Sequence, residues 1–324
     1  MLKTTLKSLA ILLLMNGSLY SGTIPLYNGY LNMTYMNAKN AMMANATTAT
    51  TKGYAAMLSN PAGLSTNYNA TLYVRSVTGT VTDSDGTTLP DIKLNDQFSV
   101  GLLYDSFGIE AKSDDYLIGG AAYGYETRYG LFSVGLSYLY DSTDLTQKDI
   151  KAVQTEQFAT GNYSSYGFMW QKSFIDEEDF YAIYLGYSHK NSGKYTGGSN
   201  STVIPASPSK TSYGIGLETN IFDTTLLVTY DKSTEYWQSI DDELIGTAYG
   251  LKWMINQKFA IAGGANIQTF STSTLKDIQT AGIGIEFGFL GIQTETAFTH
   301  RVVNGTQDVY LTEDALHLDV ALTF

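Results

Sequence analysis

Three histidines, His189, His300 and His317, are the side chains of this 324-residue chain best suited to acid–base or metal chemistry, and cysteine is absent. A hydrolase would need a histidine beside a serine nucleophile, and a zinc enzyme a His-Glu-X-X-His run. Neither that run nor a Gly-X-Ser-X-Gly elbow occurs. His317 lies two residues before Asp319, while His189 and His300 adjoin Lys190 and Arg301. These placements predict structural histidines, and the chain is expected not to be an enzyme. Asp83-Ser84-Asp85-Gly86 lacks the remaining spacing of a calcium loop and reads as a turn. No metal or cofactor is expected.

Five further charges, Glu218, Lys252, Glu286, Glu295 and Asp319, recur among small residues inside otherwise apolar alternation. Leu316, Leu318, Val320, Leu322 and Phe324 fall on one side of an extended segment, and Ala315, His317, Asp319, Ala321 and Thr323 on the other. Side chains of a strand switch faces at every residue, so this ribbon has one apolar and one polar face. The same division recurs in Phe132–Tyr140, Tyr181–Ser188, Tyr213–Ile221, Ile245–Trp253 and Gly282–Phe289. One face is aliphatic and aromatic; the other is glycine, small polar residues and occasional charge. That pattern predicts an all-β transmembrane antiparallel barrel with its apolar face in lipid. The five charges then point into the lumen, where unpaired charge is costly and mutual pairing is expected.

Composition agrees with a barrel. Gly 31, Tyr 25, Phe 14 and Trp 3 stand against Pro 5 and 15% charged residues. Mean hydropathy is only −0.09, far below that of a helical membrane protein. Tyr and Trp suit the two membrane–water interfaces. Residues 1–22 read as a signal peptide, with Lys3 and Lys7 before the apolar run Leu9–Met15 and small residues at Ser21 and Gly22. Removing it takes the formal charge from −12 to −14. No basic patch suits nucleic acid, and none is expected as a partner. An outer-membrane location in a Gram-negative bacterium follows, with membrane lipid as the surroundings.

Connection lengths alternate. Short turns fall near Asp105–Gly108, Arg128–Gly130, Ile175–Asp179, Phe222-Asp223, Asn256–Lys258 and Leu290-Gly291. Longer polar connections run over Asp83–Asp91, Asp141–Gly161, Lys190–Lys210, Lys232–Asp242, Ser271–Lys276 and Val303–Asp314. Short turns of such barrels face the periplasm and long loops the exterior. Counting from Asn69 gives about fourteen strands over residues 69–324. The apolar loop residues Leu145, Ile150, Val153, Phe158, Tyr195, Val203 and Ile204 pack the loops together or form a shallow landing site for an apolar ligand. Phe107, Gly108, Glu110 and Lys112 begin a short segment interrupted by polar residues as far as Asp114. A poorly paired polar strand is a candidate opening in the wall.

Residues 23–68 differ in kind. Asn37–Thr51 is rich in Ala, Asn, Thr and Met without two-residue alternation, and Asn60-Pro61-Ala62-Gly63-Leu64 follows. Pro61 fixes its own backbone and biases Asn60 away from helix. A compact plug inside the barrel fits these small residues. The Ala-rich stretch, the Asn-Pro-Ala-Gly-Leu run and the following barrel together resemble the FadL-type outer-membrane transporters of fatty acids and other hydrophobic compounds. The resemblance implies a fourteen-stranded barrel, an N-terminal hatch, and passive passage of a hydrophobic ligand from extracellular loops to a hatch-gated lumen. It also implies lateral exit beside the third strand. Separately, the terminal Leu316–Phe324 pattern, ending on an aromatic residue, resembles the signal read by the outer-membrane insertion machinery. PorV-like proteins of secretion and TraF-like proteins associated with conjugal transfer share a similar hatch. A non-transporting scaffold is thus the alternative to a channel, and a monomer is expected in either case.

Overall fold

The structure, a computed structural model, describes residues 37–66, 69–83, 97–112, 116–141, 160–176, 179–191, 194–196, 209–237, 242–256, 258–271, 275–305 and 309–324. The signal-peptide reading of residues 1–22 and most of the loop residues named above lie outside them. Among these residues, fifteen strands form one antiparallel sheet. They are β1 (Thr71–Asp83), β2 (Gln97–Tyr104), β3 (Phe107–Lys112), β4 (Tyr116–Thr127), β5 (Gly130–Asp141), β6 (Thr160–Asp176), β7 (Asp179–Lys190) and β8 (Lys194–Thr196). The remainder are β9 (Ser209–Ile221), β10 (Thr224–Trp237), β11 (Asp242–Asn256), β12 (Phe259–Phe270), β13 (Leu275–Phe289), β14 (Ile292–Gly305) and β15 (Val309–Thr323).

Fourteen of these strands close into a ring. Each pairs with its neighbours in the chain, β7 pairs with β9, and β15 returns to β1 over Thr323↔Thr71 through Leu311↔Asp83. The short β8 stands outside the ring and pairs only with the first residues of β6. Closure of β15 onto β1 leaves the sheet without a terminal edge strand, which is the condition for a sheet to cross lipid. The exterior supplies the rest of that condition. Val134, Tyr138, Ile215, Leu251, Trp253, Ile283 and Phe287 are exposed, while the residues between them turn inward. Leu316, Leu318, Val320, Leu322 and Phe324 likewise face out, and His317 and Asp319 are buried inside. This is a membrane-spanning barrel of the bacterial outer-membrane type.

The turns at one end are tight. Leu290-Gly291 links β13 to β14 with φ of 50° and 81°, the pattern of a type I′ hairpin turn. Phe222 and Asp105 also take positive φ without being glycine. Both ends of the described barrel meet here, where the Phe324 N–H donates to the Ala70 carbonyl at 2.9 Å.

β3 carries the residues read as a candidate opening. All six are paired, Phe107↔Tyr104 through Lys112↔Ser99 on one side and Phe107↔Ala121 through Lys112↔Tyr116 on the other. No register shift interrupts either ladder, and positions 113 and 114, the rest of that candidate, lie outside the described residues. The polar residue within β3 has partners of its own. Glu110 points into the lumen, where Arg75 Nη1 lies 2.8 Å from Oε1 and the Tyr73 hydroxyl donates to Oε2 at 2.7 Å.

Candidate functional site: the inner segment and the cavity beside it

Residues 37–66 form short helical turns because their sequence offers small side chains and local caps rather than strand alternation. Asn37 caps α1 (Ala38–Met42) by accepting from the Asn40 N–H at 2.8 Å. Two 3₁₀ segments follow, Gly53–Leu58 and Pro61–Thr66. Between them Asn60 serves as a junction. Its Nδ2 donates to the Thr48 carbonyl at 2.7 Å and to the Phe168 carbonyl of β6 at 3.2 Å, and its Oδ1 accepts from the Ala62 N–H. The Asn60 carbonyl accepts from the Gly63 N–H at 3.0 Å, closing the turn over Pro61.

This segment lies within the ring. Its residues approach inward-facing glycines so closely that a Cβ on Gly167 would sit 1.8 Å from Asn60 Oδ1, and one on Gly282 would sit 2.0 Å from the Ala41 carbonyl. The corresponding approaches of Gly135 to Pro61 and of Gly186 to Thr48 are both 2.3 Å. Gly135, Gly167, Gly186 and Gly282 thus form a fitted cradle, each leaving room that the inner segment occupies. Leu64, Met57 and Tyr54 fill an apolar cluster against Leu103, Ile118 and Leu139.

Carboxylates fasten the segment at two points. The Ala38 N–H donates to Asp319 Oδ2 at 2.9 Å, and the Thr48 N–H donates to Asp231 Oδ2 at 2.7 Å. Around α1, Lys252 Nζ lies 2.5 Å from Glu286 Oε2, Glu295 Oε1 accepts from Gln293 at 2.7 Å, and Arg75 Nε lies 3.6 Å from Asp319 Oδ1. Lys39 faces the same group. Burial acts to lower its pKa, but the carboxylates of Glu286, Glu295 and Asp319 outweigh this and hold the ammonium above its usual value. Further along the segment, burial pushes the Lys52 ammonium below its usual range despite Glu218. Glu218 itself accepts from the Tyr184 hydroxyl at 2.5 Å.

A cavity of about 130 Å³ opens between the inner segment and the strands toward the end away from the tight turns. Thr48, Asn40 and Ser59 line its inner-segment side; β9, β10, β12 and β14 contribute Lys210, Asp231, Glu235, Asn266 and Arg301. Lys210 Nζ donates to Glu235 Oε1 at 2.7 Å, and Arg301 Nη1 lies 3.3 Å from Glu313 Oε2. The walls are hydroxyl, amide and charged groups, with few apolar side chains.

The sequence reading placed Lys210 and Glu235 in loops, and it did not select Asp231, Asn266 or Arg301. The visible signal was alternation running beyond the apolar band. Tyr230 and Tyr236 face out while Asp231, Ser233 and Glu235 line the cavity on the same strand, so β10 continues to Trp237. The histidines do not converge. His189 bonds Thr211 on β9, His300 bonds Asp314 on β15, and His317 is buried against Thr299 at 3.1 Å.

No protein-family model and no curated protein matches the chain in sequence. Solved structures do match in fold. A monoaromatic hydrocarbon channel, the TodX deltaS2S3 mutant, superposes with a TM-score of 0.52 at 11% identity, covering 89% of this chain and 99% of its own. The Pseudomonas putida toluene transporter TodX gives 0.45 at 10% identity over 89% of this chain and 97% of that one. OmpT, an outer membrane protein of Vibrio cholerae, gives 0.37 at 12% over 79% and 97%. The first of these likenesses concerns the barrel architecture, which it shares.

Proposed function

We propose that this chain is an outer-membrane channel for passive uptake of long-chain fatty acids or other hydrophobic small molecules, with Asn37–Thr66 acting as its hatch. One observation carries the proposal: a segment of irregular structure lies in the lumen beside a cavity, seated by side-chain packing and hydrogen bonds rather than by strand pairing. A plug that must move needs contacts that can break one at a time, and bonds such as Thr48 to Asp231 are of that kind. The fold shared with a hydrocarbon channel supports the same reading. The channel works as a monomer, without cofactor or hydrolytic chemistry.

Uptake into liposomes tests this. Reconstituted protein is expected to accelerate entry of a long-chain fatty acid over protein-free liposomes, with no requirement for an energy source. Absence of acceleration, together with a stably copurifying protein partner, would instead favour a scaffold in secretion or conjugal transfer.

A further inference from the structure

Lysine and arginine are rare on the lipid-facing side of the described strands. In the half next to the tight turns, Lys172 is the one such residue that a described strand turns outward, between Trp170 and Phe174 on β6. A lysine is costly at the middle of the hydrocarbon and nearly free at the interface, so Lys172 marks the headgroup level. The β4–β5 turn brings a second cation to the same place. Gly130, with φ of 127°, lets that turn fold against β6, where a Cβ would sit 2.4 Å from the Gln171 carbonyl oxygen. The Trp170 indole N–H donates to the Tyr129 carbonyl at 3.0 Å, and Lys172 Nζ donates to the Arg128 carbonyl at 2.6 Å. Arg128 is exposed, and its guanidinium lies 4.6 Å from the centre of the Tyr129 ring.

Among the described residues neither cation forms an ion pair. Glu126, the one acid of β4, belongs to the lumen-facing set with Gly124, whose Cβ would meet Ser65. Two cations held side by side without a carboxylate leave charged donors for an anion. On the hydrocarbon side of Lys172 the wall presents Phe132, Phe168 and Leu185, all exposed, as a floor for an acyl chain. The tight turns face the periplasm, where the membrane leaflet is built of phospholipid. We propose that Arg128 and Lys172 bind the phosphate of an anionic phospholipid of that leaflet. The site is separate from the lumen and independent of the uptake reading.

Trp170 reports on it directly. In Trp237→Phe/Trp253→Phe protein Trp170 is the sole tryptophan, and brominated acyl chains beside it quench its fluorescence. In phosphatidylcholine liposomes, brominated phosphatidylglycerol is expected to occupy the site about fivefold or more in preference to brominated phosphatidylcholine. Arg128→Gln/Lys172→Gln should bring the two lipids to parity, and Lys172→Gln alone should remove part of the preference. Lys258→Gln, on the same rim near Phe289, should leave it unchanged. Equal quenching by both lipids in the parent would overturn the proposal. So would a preference that survives the double substitution in a barrel with native heat-modifiable mobility, or one lost equally in Lys258→Gln. Abolition of the preference by inorganic phosphate at constant ionic strength would mark a free-anion site and overturn it too.

Discussion

The backbone N–H of Thr48 donates to Asp231 Oδ2 at 2.7 Å, tying the inner segment to a strand 183 positions further along the chain. Asp231 also lines the cavity, and its second oxygen is buried beside Gly214. Asp231→Ala removes the acceptor and leaves a buried N–H, a loss of about 1–3 kcal/mol from the seating of the segment. Hydrogen–deuterium exchange is expected to speed up in Asn45–Thr51 while β11–β14 stay protected. Unchanged exchange in Asn45–Thr51 would show that this bond does not hold the segment.

Gly167 offers a steric probe of the same seat. A Cβ there would overlap Asn60 Oδ1, so Gly167→Val forces Asn60 away from the Thr48 and Phe168 carbonyls. Overpacking of this kind costs about 1–3 kcal/mol. The expected result is a barrel that still forms but conducts ions more strongly in planar bilayers than the parent. Unaltered conductance would mean that the inner segment tolerates the displacement.

Lys252 and Glu286 form an ion pair within the lumen, each mostly withdrawn from solvent. Removing Lys252 leaves Glu286 with Lys39, and removing Glu286 leaves Lys252 with Glu295, so Lys252→Gln or Glu286→Gln alone should destabilise the barrel by less than the roughly 3–5 kcal/mol of an isolated buried charge. The double variant Lys252→Gln/Glu286→Gln is expected to recover most of that loss. Denaturant unfolding from liposomes measures it, and additive losses would contradict a mutual pair.

Leu290 has φ of 50° in the β13–β14 turn, a conformation that an ordinary side chain resists. Asn-Gly is the preferred type I′ sequence. Leu290→Asn is therefore expected to leave the fold intact and raise unfolding stability by up to about 1 kcal/mol. A fall in stability would show that the exposed Leu290 side chain contributes more through contact with lipid than the turn loses through strain.

Much of the barrel could be read from alternation, because lipid on one side and a crowded lumen on the other force opposite chemistries onto neighbouring residues. Ile283 and Gly284 show this directly: one faces out, and the other leaves no room for a Cβ beside Thr296 and Met42. The same rule says less at β3. The partners of Glu110, Arg75 and Tyr73, lie some thirty-five positions earlier, and such pairing leaves no local trace. The cavity was obscured for a related reason. Beyond the apolar band both faces of a strand can be polar, so Glu235 and Lys210 resembled loop residues although both belong to paired strands. Asn60-Pro61-Ala62 was visible as a turn, but its bonds to Thr48 and Phe168 depend on closure of the barrel.

Movement of the inner segment is the central claim, and the absence of native cysteine makes it directly testable. The Ser65 and Ser133 hydroxyl oxygens lie 2.7 Å apart, one on the segment and one on β5, so cysteines at these two sites can be joined. In Ser65→Cys/Ser133→Cys liposomes, uptake of a long-chain fatty acid is expected to fall on oxidation and return on reduction. Uptake that proceeds equally with the segment locked would contradict a hatch.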